Sequence, residues 1–282
     1  MVNFFDLTPE TLPGFIDEAK RYTGLWFFQH IPKTAGSSLV GDLQEHAKPF
    51  RDFEFDYTVP PGANFREHRK NLALHILNDH RTKPYRAMSG HYVRTDVNVF
   101  RDAVDTRVFT FLRHPVQRIV SEYNYSLSDM HPLHEAFAER YPTIEHFIDD
   151  ESRANSIYQF LCTAWSAPQL PEEQIMRILR REIFFFGLQE YYELSYMLLS
   201  SFIWEPTLPS GRQARKLSND DTKRTYAKYH DLICDRNAND LFIYEQVDAV
   251  FQRIAERAEE ILRPQVDGSA SGFKPTFSFS KR

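Results

Sequence analysis

Residues 33–38, Lys-Thr-Ala-Gly-Ser-Ser, follow directly on an apolar run at 25–28 and carry the groups that hold a phosphate. Gly36 permits close backbone approach, the amides of a helix beginning there point outward, and Ser37 and Ser38 add hydroxyl donors. Lys33 adds a point charge, while Thr34 and Ala35 contribute backbone. An ordinary strand-to-helix turn with a capping serine shares this look. The lysine precedes the glycine, so this is not the Walker A pattern, and a nucleoside triphosphatase is disfavoured.

A second anion-binding candidate stands at 113–121. Arg113 ends the apolar run that starts at 107, and Ser121 falls on the second turn of the helix expected after Pro115, where a hydroxyl can join a guanidinium on one phosphate. The alternative is an Arg113 paired with a carboxylate and a Ser121 that only packs. His91 follows the run 85–90, and an imidazole suits proton transfer near neutral pH, although a lone histidine is more often structural. His131 and His134 have a three-residue spacing but no third ligand nearby, so 129–142 reads as an exposed loop and no metal is expected. Arg66, Arg69 and Lys70 read as the solvated face of a helix, with contact to an anionic acceptor as the alternative, and Arg212, Arg215 and Lys216 as a basic loop that is either simply exposed or closes over phosphates.

The elements that must position these groups alternate between strand and helix. Strands are expected at 25–28, 85–91, 107–113 and 183–188, with helical patterns after the first, third and fourth (37–47, 116–128 and 190–204) and further helices at 9–21, 64–80, 143–150, 152–163, 171–181 and 239–262. Residues 52–62 read as a loop over a cleft. Strand-then-helix order, with anion-binding groups at two strand ends, predicts a doubly wound α/β parallel sheet, taken as one domain over 1–282 with a loosely ordered tail at about 265–282. A 42% hydrophobic content that includes 24 Phe and 14 Tyr argues against disorder, and a net charge of −5 gives no global attraction to nucleic acid or anionic membrane. Cys162 and Cys234 lack metal-ligand spacing and read as reduced, buried thiols. With no signal-like leader and no run of about 18 uncharged apolar residues, the expectation is a soluble, cytoplasmic protein with no membrane span. The sequence leaves oligomeric state open.

Taken together, the two motifs carry a resemblance. Residues 29–39, Gln-His-Ile-Pro-Lys-Thr-Ala-Gly-Ser-Ser-Leu, look like the 5′-phosphosulfate loop of the sulfotransferase superfamily, in the form used by the carbohydrate branch that includes uronyl and heparan sulfate 2-O-sulfotransferases. Arg113-His114-Pro115 with Arg118 and Ser121 resembles that family's 3′-phosphate motif. The resemblance continues thinly to about residue 250, through 155–159, 186–190 and 239–244. It implies a P-loop NTPase-like three-layer sandwich with a central parallel sheet. It also implies the donor 3′-phosphoadenosine 5′-phosphosulfate (PAPS), the product adenosine 3′,5′-bisphosphate, and no metal. Lys33 would then neutralise the departing phosphate, residues 34–38 would hold the 5′-phosphate, and Arg113 and Ser121 the 3′-phosphate. His91 would be the general base, with His30 next in line. The Golgi members' membrane anchor and several cysteines are not seen, which points to a bacterial-type soluble enzyme acting on a saccharide or glycoconjugate, a lipid-linked sugar or a small metabolite. A metabolite kinase and a non-catalytic nucleotide-binding regulatory module are the other classes that would use such a cradle.

Overall fold

The computed structural model describes residues 2–53, 65–163, 169–210 and 220–269. Five strands, β1 (Leu25–Gln29), β2 (Phe50–Phe53), β3 (Ala87–Gly90), β4 (Thr106–Leu112) and β5 (Phe185–Leu188), form one parallel sheet in the order β2-β3-β1-β4-β5. The intervening helices are α1 (Leu12–Lys20), α2 (Gly36–His46), α3 (Phe65–Thr82), α4 (Arg94–Arg101), α5 (Pro115–Ser126), α6 (His134–Arg140), α7 (Ile144–Ile148), α8 (Ser156–Cys162), α9 (Glu172–Glu182), α10 (Tyr192–Ile203), α11 (Asp220–Arg236) and α12 (Ala238–Ser269).

The aromatic run that suggested β1 is buried from end to end. Trp26 stacks on Phe202 of α10 with ring centres 6.1 Å apart, whereas Phe27 packs against Phe100 of α4 at 5.2 Å. Neighbouring residues of a strand face opposite sides, so β1 is covered by helices on both faces, as a parallel sheet must be. α1 lies with α10 on the first side; α3, α4 and α8 pack together on the second. α12 covers the β5 edge, touching α8, α10 and the short turn Phe4–Asp6. The result is a three-layer α/β fold with a central parallel sheet. A smaller apolar cluster built from Val120 of α5, Phe137 of α6, Phe147 of α7 and Ile233 of α11 packs beside the main core.

Several sequence expectations need correction. The sheet has five strands rather than four, because Phe50–Phe53 pairs in parallel with β3. Residues 52 and 53 of the expected loop at 52–62 are therefore strand, and the rest of that loop, 54–62, lies outside the described residues. The exposed loop at 129–142 contains α6, whose Phe137 is buried in the smaller cluster. α4 and α11 were not anticipated, and α12 continues through Pro264 to Ser269 with Val266 buried. Arg212, Arg215 and Lys216 lie outside the described residues. Cys162 is buried as expected, while Cys234 is partly exposed.

Candidate anion site at the carboxyl end of the sheet

The turn from β1 into α2 holds two non-glycine residues in left-handed backbone, Lys33 (φ 69°) and Ala35 (φ 72°). Such conformations cost on the order of 1–3 kcal/mol each and persist where the surroundings impose them. Here the Thr34 hydroxyl, fully buried, donates to the Ile31 carbonyl at 2.8 Å and pins the loop from inside. The hydroxyl of Thr34 is therefore committed to the fold, leaving its backbone for any ligand. Left-handed residues alternating with others turn successive N–H groups toward one side, and Ala35 at the N-cap brings no side-chain hydrogen bond to the first turn of α2. Ser37 is exposed and Ser38 half-buried at this end.

Gly36 serves a different purpose from the one its sequence context suggests. A Cβ at this position would lie 1.9 Å from His30 Nε2, so the glycine makes room for an imidazole of the protein's own. His30 stacks on Phe28 at 5.1 Å on one side and on His91 at 4.1 Å on the other. The two histidines meet because β1 and β3 are adjacent with Gln29 opposite Gly90, which sets the next residue of each strand side by side.

His91 Nδ1 sits 2.8 Å from the His30 carbonyl oxygen. A carbonyl only accepts, so Nδ1 carries the hydrogen and Nε2 of the neutral ring carries a lone pair. Burial pushes the His91 pKa below the usual imidazole value, helped by the Arg69 charge and opposed by the His30 carbonyl and Asp52. His30 is pushed well below its usual value by burial, by His91 and by the Lys33 ammonium. Both rings are neutral at pH 7. With its tautomer fixed, His91 is the better placed base of the two.

Arg69 is not on a solvated helix face. It is 8% exposed, its Nη2 donates to the His91 carbonyl at 2.6 Å, and it binds Asp96 Oδ2 at 3.0 Å through Nε and 2.7 Å through Nη2. The correction has a simple cause: α4, absent from the sequence reading, brings Asp96 against α3. Lys70 is exposed as expected, and the Arg66 side chain lies outside the described residues. Asp52, in the unanticipated β2, hydrogen-bonds to Ser89 one residue pair before the end of the sheet. The sequence offered little signal for it, since Phe-Arg-Asp-Phe does not alternate as a strand with one buried face would.

On the other side of β1, Arg113 directly follows β4. Its Nε donates to Gln117 Oε1 at 3.4 Å, it forms no ion pair among the described residues, and burial lowers its pKa from the ordinary guanidinium value. α5 begins at Pro115, its first turn capped by His114 Nδ1, which accepts from the Val116 amide at 3.3 Å. Ser121 is half-buried and its hydroxyl makes no hydrogen bond among the described residues. Tyr125 lies one turn further on the same face, and Lys33 Nζ sits 3.8 Å from the centre of its ring. That contact turns the Ser121 face of α5 toward the β1–α2 turn. Arg118, by contrast, is buried and binds Glu122 Oε2 at 2.8 Å. Tyr125 was not singled out in the sequence, although its four-residue spacing from Ser121 was readable there.

Three adjacent strands, β3, β1 and β4, thus end in a neutral histidine, a turn of left-handed backbone with its lysine, and an arginine. Open parallel sheets bind ligands at such carboxyl ends, where the chain leaves the central strand in both directions. Among the described residues no three His, Cys, Asp or Glu side chains gather as a metal-binding group, and no helix is long and apolar enough to cross a membrane. The arrangement defines a class, an α/β protein with a candidate anion site at the sheet's topological switch. No family model and no curated protein matches the chain.

Proposed function

We propose that the protein is a PAPS-dependent sulfotransferase with a P-loop NTPase-like fold, acting in the cytoplasm on a hydroxyl of a saccharide or glycoconjugate. The observation that carries this reading is the convergence of His91, the Lys33 turn and Arg113 at the ends of three neighbouring strands. The residues fit the donor: one anionic end meets left-handed backbone and an uncapped helix start, the other an arginine that forms no salt bridge among the described residues, although the Glu190 carboxylate is near enough to act on its charge. When bound, PAPS supplies a sulfonyl group whose bond to the 5′-phosphate oxygen breaks as the bond to the acceptor oxygen forms.

The backbone of residues 34–38, with the Ser37 and Ser38 hydroxyls, binds the 5′-phosphate. Arg113 and Ser121 bind the 3′-phosphate, and Lys33 neutralises charge where it develops. His91 Nε2 accepts the proton of the acceptor hydroxyl, Nδ1 being held by the His30 carbonyl. Arg69 fixes the backbone that carries the base.

Isothermal titration with adenosine 3′,5′-bisphosphate, with ATP and AMP as controls, tests the assignment. Selective binding of the bisphosphate is expected, weakened about 10- to 100-fold in Arg113→Ala, the value of a charge-assisted hydrogen bond. Preference for ATP would favour a kinase, and bisphosphate binding without transfer to any hydroxyl acceptor a regulatory module. Unaltered bisphosphate affinity in Arg113→Ala would remove that residue from the 3′-phosphate site.

A further inference from the structure

We infer that Tyr125 is a positioning residue for Lys33, its ring holding the ammonium at the mouth of the anion-binding turn; this rests on the transferase reading above. Lys33 starts from left-handed backbone at φ 69°, so its side chain leaves the turn in a direction set by the fold. Its Nζ lies 3.8 Å from the Tyr125 ring centre, well within the range in which an aromatic face attracts a cation.

The backbone carbonyl of Tyr125 accepts from the Ser128 hydroxyl at 2.7 Å, which holds the end of α5, and the Tyr125 ring meets the His131 ring edge-on at 5.6 Å while its hydroxyl approaches the Met130 carbonyl at 3.5 Å. The Lys33 charge depresses the pKa of both His30 and His131, so the ammonium is within electrostatic reach of both. A flexible four-carbon stem left in water would sample many rotamers. Against Tyr125 it is confined beside the Ser121 face of α5, close to where the departing phosphate must be met. An ordered cation needs no reorganisation at the moment of reaction, so the ring's contribution falls on turnover more than on donor affinity.

The test combines a spectroscopic and a kinetic readout on the full chain. In carbon-13-labelled protein, the Lys33 ε-methylene protons are expected upfield of the other lysines through the Tyr125 ring current. The shift should vanish in Tyr125→Leu and return in Tyr125→Phe. Tyr125→Leu should lower kcat about 5- to 30-fold, the range of a desolvated cation–π contact, with a smaller change in the KM for PAPS. Tyr125→Phe should recover most of that loss. In a Lys33→Ala background, Tyr125→Leu should have no further effect, because nothing remains for the ring to position. An unshifted Lys33 signal in the unmutated protein overturns the inference whether or not the protein transfers a sulfonyl group. An undiminished effect of Tyr125→Leu in the Lys33→Ala background overturns it too, by showing that the ring acts through the fold. A shifted Lys33 signal with no bisphosphate binding leaves the contact standing but refutes the transferase reading, and with it the positioning role.

Discussion

Replacing Gly36 by alanine should damage the fold through His30, whose ring supplies the three nearest atoms to the added Cβ, and the size of the damage follows from one distance. The added Cβ would stand 1.9 Å from His30 Nε2. To reach an ordinary contact of about 3.5 Å, the ring must retreat by roughly 1.6 Å. Its flanks are closed by Phe28 at 5.1 Å and His91 at 4.1 Å, so it cannot retreat without moving the neighbouring imidazole or straining its own rotamer. Overpacking of this kind costs about 1–3 kcal/mol. With His30→Ala already in place the obstruction is gone, and alanine's helix propensity, better than glycine's by up to about 1 kcal/mol, becomes the remaining influence. The double-mutant cycle should therefore show a coupling of about 1–3 kcal/mol, the propensity gain cancelling between the backgrounds, read from urea unfolding of the four proteins. A Gly36→Ala cost that is the same in both backgrounds would refute the reasoning and return the glycine to a role in ligand approach.

His91→Ala should lower turnover about 10²- to 10⁴-fold while leaving bisphosphate affinity nearly unchanged. On the proposed mechanism His91 acts unprotonated, and its pKa is depressed, so kcat/KM should stay level as pH falls through 6.5 and decline only below it; an acid limb centred above 6.5 would contradict the assignment. Asp240, fully buried, accepts from the amides of Ile157 at 3.1 Å and Tyr158 at 2.8 Å and so caps α8. Asp240→Ala leaves both donors without a partner and should cost about 2–4 kcal/mol in urea unfolding, and a loss below 0.5 kcal/mol would show that water replaces the carboxylate.

The parts of the fold that could be read from the sequence are those whose burial is written in one short stretch. β1 is the clearest, since Leu-Trp-Phe-Phe is apolar on both faces and stops at a turn signal. β4 and β5 share that property. β2 does not, because an edge strand of four residues with Arg51 and Asp52 in the middle is held by pairing with β3, a non-local cause. α6 was hidden for a similar reason: histidines, prolines and charges surround Phe137, whose ring contacts include Tyr123 of α5 and Phe147 of α7. In the candidate site, the motif residues could be named but their purposes could not. Gly36 answers to His30, Arg69 to Asp96 and Lys33 to Tyr125, each partner arriving from a different element. Even the unassigned likeness at 155–159 and 239–244 has a physical counterpart here. Asn155 Oδ1 accepts from the Asn239 and Asp240 amides at 2.9 and 3.2 Å, while Asp240 caps the helix that follows Asn155.

The position of β1 in the middle of the sheet bears on how the chain is made. Both of its neighbours lie later in the sequence, β3 about 60 residues on and β4 about 80. At a synthesis rate of about 5–20 residues per second, an aromatic strand with two open hydrogen-bonding edges waits some 3–12 seconds for its first partner. During that interval Leu25 to Phe28 is the segment best suited to pair with another nascent chain. A holding chaperone on the ribosome should therefore raise the yield of folded protein by shielding this strand until β3 emerges.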